Sequence, residues 1–261
     1  MPSFNVKYTI LFSIAVCGVC AVLVSGAAVS LADAQNLNKA LDKKRNVLLA
    51  SGVLKNGEKV SKDEVLKRFE RFKPVVVDLA TGKEVADVDA SAYDQQKAKK
   101  DPAASKAAPT NKAGIFRVPN RALVYKVLGD DGKVEMLVLP IEGYGLWSTL
   151  YGFLALGADT STVKGLTYYQ HGETPGLGGE VENPAWRALW VGRKAYDESW
   201  QPKISVIKGA AGPVEQDPHH IDGLSGATIT SRGVSHMMEF WLGDNGFGPY
   251  LKNLREGKEA A

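Results

Sequence analysis

The sequence predicts an α+β protein with a single N-terminal transmembrane helix followed by a soluble domain of mixed sheet and helices. Three observations point there. A long uncharged apolar run opens the chain, β-rich runs around tight turns fill its middle, and an amphipathic helix ending on glycine closes it. Strand and helix patterns mix without regular βαβ alternation, which favours α+β over a doubly wound parallel sheet. With 261 residues, 44% of them apolar, the chain can bury a sizeable core.

The first element runs from Tyr8 to Ala32, 25 residues without a charge. At about 1.5 Å rise per residue such a helix spans a bilayer with some tilt. A cleavable signal peptide is the rival reading, because Ala32-Asp33-Ala34 resembles a cleavage site. Its apolar region would normally hold only about 7–15 residues, so the anchor is the expectation. The expected division is an anchor over residues 1–34, crossing at about 8–32, and a domain over residues 35–261. Lys7 on one side and Lys39, Lys43, Lys44 and Arg45 on the other leave the orientation open by charge counting. Cys17 and Cys20 fall within the span and read as small apolar residues, with a metal or redox pair as the alternative; the rest of the chain has no cysteine, which suits an oxidising compartment.

Beyond the span, Leu37, Leu41, Val47 and Leu48 keep helical spacing and predict that the helix continues to Gly52. A second amphipathic helix is expected over residues 61–72, capped by Ser61 with Glu64 at the capping-box position. "KPVVVDLATGKEV" reads as a strand and turn, and the low-complexity stretch near 92–114 as a loop or insertion. "RALVYKVL" and "KVEMLVLPI" flank "GDDG" and predict a hairpin. "GYGLWSTLYGFLAL" is expected to be buried or to line a pocket, and "TVKGLTYYQH" to be a strand. Asn183 before Pro184 starts a helix over "PAWRALWVG", and "PKISVIKG" reads as another strand. The last main helix begins at about Thr228 and stops at Gly243.

Several chemistries find no support. The formal charge of +3 is mild and no basic run is interleaved with aromatics, so no nucleic-acid partner is expected. The lysines between 97 and 112 read as a solvated surface loop, with a basic binding patch as the lesser alternative. There is no G-x-G-x-x-G after a strand, no P-loop and no G-x-S-x-G. His171, His219, His220 and His236 lack metal-ligand spacing, so no metal site is expected, and no acid–base dyad is visible.

Two glycine-rich stretches remain. In "DGLSGATITSRG" (222–233), Gly226 and Ala227 leave the backbone open just where a helix starts. Free amides and the helix dipole there favour an anion, phosphate above all. Thr228 and Ser231 could cap that helix, or a hydroxyl there could be esterified by the phosphate it would otherwise bind. In "HGETPGLGGE" (171–180), a Pro-Gly turn exposes backbone amides able to meet the polar edge of a flat ligand; a plain surface turn is the alternative. Lys208, ending a strand, could offer a cation to an anionic ligand, or be an ordinary surface lysine.

"DGLSGAT" resembles the Asp-x-x-Ser/Thr-Gly-Ala-Thr signature of proteins that carry FMN covalently, and "GETPGLG" resembles the other half of that FMN-binding domain. "QNLNKALDKKRNVLLASG", "YGLWSTLYGFLAL" and "TVKGLTYYQHGETPGLGGEV" extend the resemblance over nearly the whole chain, to the family of C subunits of sodium-translocating NADH:quinone oxidoreductases. The resemblance implies FMN esterified through its phosphate to Thr228, installed from FAD by a magnesium-dependent flavin transferase that recognises Asp222, Ser225, Gly226 and Ala227. It implies that Glu173, Thr174, Leu177 and Gly178 sit against the isoalloxazine ring, with Trp147 and Lys208 as further candidates. It also implies a domain on the periplasmic side of a bacterial inner membrane. Partners would include the B, D, E and F subunits. Electrons originating from NADH would pass to an FMN in the B subunit and eventually to ubiquinone, coupled to sodium export. The homologous G subunit of the Rnf ferredoxin:NAD complex is the nearest alternative; a membrane-anchored binding or assembly protein with no redox role is a more distant one.

Overall fold

The computed structural model describes residues 5–257, and the chain divides into two compact units, residues 1–43 and 44–261. In the first, helix α1 (Val6–Ala50) begins, and its apolar side chains are exposed, from Val6 through Leu37. A window of this helix with mean hydropathy 2.5 is long and apolar enough to cross a membrane, and none of it is buried. As expected, α1 runs unbroken to the Gly52 region, where Gly52 takes φ +74°.

In the second unit, apolar runs buried on both faces build one antiparallel sheet. Its strands are β1 (Phe72–Asp78), β2 (Lys83–Val85), β5 (Arg121–Leu128), β6 (Val134–Tyr144), β7 (Thr149–Gly157) and β8 (Val163–Gln170), in the order β2-β1-β5-β6-β7-β8. The short β3 (Ser105–Ala107) and β4 (Arg117–Pro119) pair separately. The predicted hairpin is β5–β6, closed by Gly129 N donating to Lys133 O at 2.8 Å, with Gly132 at φ +76°. Pro74 is tolerated inside β1 because β2 pairs only with Val76–Asp78, so one edge at Pro74 needs no donor.

Both faces of the sheet are covered. Val76, Leu123, Val138 and Phe153 join Val47, Leu48 and Ala50 on one face, with Val65 of α2 (Lys62–Phe69). Val75, Val77, Val124, Leu137, Leu139 and Leu154 face the other way, toward α5 (Thr228–Leu242) and α6 (Gly248–Arg255). The helix over the second face is held close. A Cβ on Gly233 would run into Tyr144 O, one on Gly143 would lie 2.7 Å from Met237 Cβ, and Trp241 Nε1 donates to Glu142 O at 2.7 Å.

Three expectations need correction. The stretch near 92–114 is not an unstructured loop: it holds α3 (Gln95–Lys100) and β3. Asp94 Oδ1 accepts from the amides of Gln96 and Lys97, Gln95 Oε1 accepts from Leu123 N, and Lys99 pairs with Glu142. Low complexity did not preclude order because these polar residues find fixed partners. The strand expected over 202–209 shrinks to β9 (Ser205–Val206), paired in parallel with β10 (His220–Ile221). The helix after Pro184 is α4 (Pro184–Ala188), capped by Asn183 as expected, but it stops well short of Gly192. Ser61 does cap α2, accepting from Glu64 N at 3.2 Å, while the Glu64 carboxylate turns to Arg68 instead of back to the cap.

Because Gly233 lies where α5 meets backbone, Gly233→Ala should destabilise the second unit by about 1–3 kcal/mol, as overpacking does. Thermal unfolding of the full chain in detergent measures it; an unchanged midpoint would mean α5 is free to move away from Tyr144.

Candidate functional site

Helix α5 starts without a side-chain cap. Ala227 occupies the cap position, and among the described residues no side chain makes a capping hydrogen bond to the first turn. Ser231, weighed from the sequence as a possible cap, instead uses its Oγ to accept from Leu224 N at 3.1 Å, buried beneath the turn. Thr230 is buried too, and Thr228 is the first-turn hydroxyl left exposed. The amides of a helix's first turn have no intrahelical acceptors, and with the macrodipole they form a partial positive pole.

A cavity of about 380 Å³ opens at this pole, within the range of small-molecule sites. It is lined by Ile207, Lys208 and Gly209 from one segment and by Ser225, Gly226, Thr228 and Arg232 from another. Gly226 stands at φ +69°, a conformation that glycine adopts without strain. Lys208 is brought here because the two segments run against each other: Gly223 N donates to Gly209 O at 2.8 Å, and a Cβ on Gly223 would run into Ile207 O. Asp222 orders the same crossing. Its Oδ1 accepts from Ala211 N at 2.9 Å, and its carbonyl accepts from Trp186 Nε1 at 2.8 Å.

Arg232 escaped the sequence reading. It lies four residues after Thr228, so helical periodicity alone puts the two on one face. Among the described residues lining the cavity there are two cations and no carboxylate. A phosphate ester is the chemistry this arrangement can hold.

The "GETPGLG" loop reaches the same place through Leu177. Leu177 is exposed, and its Cδ2 would be 2.8 Å from a Cβ on Gly226, so the two glycine-rich stretches touch. Thr174 is exposed, and its carbonyl accepts from Leu177 N and Gly179 N, forming the turn. Glu173 points inward. The residue is 6% exposed, and its carboxylate accepts from the amides of Leu146, Trp147 and Ser148 and from Thr230 Oγ1 at 2.6 Å. Burial pushes this carboxyl up, but the Thr230 hydroxyl and the three amides outweigh it and hold it below the usual glutamate range. Gly178 is buried against the same carboxylate, while Trp147, 65% exposed, projects to the surface. Leu146 and Ile229 add exposed apolar surface.

A family model described as the FMN-binding domain matches residues 145–243, which include both glycine-rich stretches. The C subunit of the Na(+)-translocating NADH-quinone reductase of Yersinia pestis is 46% identical over 256 residues, covering 97% of this chain and 94% of the relative. The corresponding protein of Pseudomonas aeruginosa is 48% identical over 254 residues, 96% of each chain. The crystal structure of Shewanella oneidensis NqrC matches with a TM-score of 0.76 at 37% identity, covering 84% of this chain and 99% of that one. A crystal structure of the C subunit from Parabacteroides distasonis gives 0.65 at 27% identity, covering 85% and 96%. The near-complete match in sequence and in fold establishes that this chain belongs to the family of C subunits of the Na(+)-translocating NADH-quinone reductase.

Proposed function

We propose that this chain relays electrons within the reductase through one FMN esterified to Thr228. The observation that supports this most directly is the uncapped start of α5, with an exposed Thr228 hydroxyl beside Lys208 and Arg232 in a single cavity. These residues fit an FMN phosphate: the backbone is open at Gly226, the local charge is positive, and the hydroxyl is free of the capping bond that would occupy it. When bound, FMN supplies the redox chemistry; the protein supplies binding, orientation and electrostatics.

Each residue then has a task. Thr228 Oγ1 would replace AMP on the FMN phosphorus of FAD, losing its proton as the ester forms, with a flavin transferase as catalyst. Lys208, Arg232 and the helix pole would balance the one negative charge that the diester keeps. Asp222, Ser225, Gly226 and Ala227 would present Thr228 to the transferase. Leu177 would lie against the flavin, next to Gly226, with Thr174 and Trp147 near it. The apolar half of α1 would anchor the chain in the inner membrane, with the second unit in the periplasm. The B, D, E and F subunits are the proposed partners, and sodium export is a property of the assembled complex.

Three outcomes test this. The chain made with a flavin transferase should keep flavin fluorescence after denaturation, and Thr228→Val should lose all of it; fluorescence that washes away, or that survives in the variant, overturns the linkage. Arg232→Ala should slow incorporation about tenfold, the expected effect of losing one charge-assisted contact, measured as the initial rate of flavin transfer. A cysteine placed at Ser91 should react with a membrane-impermeant maleimide added to intact spheroplasts. Labelling only after lysis reverses the orientation.

A further inference from the structure

The buried carboxylate of Glu173 does more than close a turn. It joins three segments distant in sequence: the 145–148 turn between β6 and β7, its own glycine-rich loop after β8, and the first turn of α5. Among the described residues its four donors are neutral, three backbone amides and one hydroxyl, arranged around both oxygens. Ser148 strengthens the seam by accepting from Gly172 N through Oγ at 2.6 Å while its own amide donates to Glu173.

The space around this carboxylate is kept open by glycine on two sides. A Cβ on Gly145 would sit 2.6 Å from Glu173 Oε1. A Cβ on Gly178 would sit 2.6 Å from both Glu173 Oε2 and Thr230 Oγ1. Contacts that short do not occur at real Cβ atoms, so the room for the carboxylate exists only because both positions lack a side chain. Thr230 is 1% exposed and lies two residues beyond Thr228 on the same helical turn.

We infer that Glu173 and Thr230 form a clamp that fixes the "GETPGLG" loop to the start of α5, making them positioning residues for the flavin rather than groups that touch it. The inference rests on the reading that FMN is carried at Thr228. The clamp lies between the two parts of the site: the loop that carries Leu177 and the helix end that carries the phosphate linkage. A carrier whose ring and phosphate are held by separate segments needs those segments held to each other, or its surroundings, and so its potential, vary. Deprotonated at neutral pH, Glu173 can only accept, which matches a socket composed entirely of donors.

The test compares Thr230→Val, Thr230→Ser and Glu173→Gln in the full chain with and without a flavin transferase. Thr230→Val removes one hydrogen bond but keeps the Glu173 carboxylate and its three amide donors, so a folded chain remains available even where Glu173→Gln does not fold. In the flavin-free chain, Thr230→Val should speed hydrogen exchange at the amides of Leu146, Trp147 and Ser148, and Thr230→Ser should restore protection. In the loaded chain, Thr230→Val should shift the flavin midpoint potential at a temperature where the variant is fully folded, and Thr230→Ser should return it to the wild-type value. A loaded Thr230→Val variant with unchanged potential and unchanged exchange overturns the clamp, even where stability falls. A wild-type chain that takes up no flavin overturns the reading beneath it, so the two failures are distinct.

Discussion

The close seating of α5 on β6 is the constraint on which the site depends. At Gly233 the helix meets the Tyr144 carbonyl with no side chain between them, and at Gly143 the strand makes the matching concession to Met237. Trp241 closes the far end by donating to the Glu142 carbonyl. A helix pinned along its length in this way has one position for its first turn. That turn stands at the end of the sheet where the 145–148 turn and the "GETPGLG" loop also emerge, which is why three sequence-distant segments converge there.

The same seating explains why the helix can begin unfinished. An exposed, isolated helix that lacks a cap loses about 1 kcal/mol, a cost usually met by Ser, Thr, Asn or Asp. Here Ala227 stands at the cap and the hydroxyls nearby are used elsewhere, Ser231 on the Leu224 amide and Thr230 on Glu173. Packing of Val234, Met237, Met238 and Trp241 into the core stabilises α5 without the cap. The positive pole is thereby left for a ligand, and Lys208 and Arg232 stand beside it.

Much of this was legible beforehand. Two β-rich runs around the turn-forming "GDDG" marked β5–β6, and a 25-residue uncharged run marked the apolar start of α1. The Ser61 and Asn183 caps were readable because a cap is a local hydrogen bond. Arg232 could have been found from its spacing to Thr228. The order within 92–114 was hidden because it rests on Gln95 meeting Leu123 and Lys99 meeting Glu142, pairings that composition does not record. The brevity of β9 was hidden for a similar reason: a strand extends only as far as its partner, and β10 has two residues.

By itself the sequence determined the uncharged span, the β5–β6 hairpin, the start of α5, and the two glycine-rich stretches that mark out a site, because apolar patterning, charge and turn chemistry are properties of neighbouring residues. Only the tertiary structure decided which hydroxyl stays exposed and which carboxylate is buried. The signature singles out Thr228 but says nothing of where Thr230 and Ser231 turn, and it places Glu173 at the ring without showing that its carboxylate is buried. Their difference comes from what lies opposite each one, the cavity for Thr228, the Leu224 amide for Ser231, and for Thr230 and Glu173 each other.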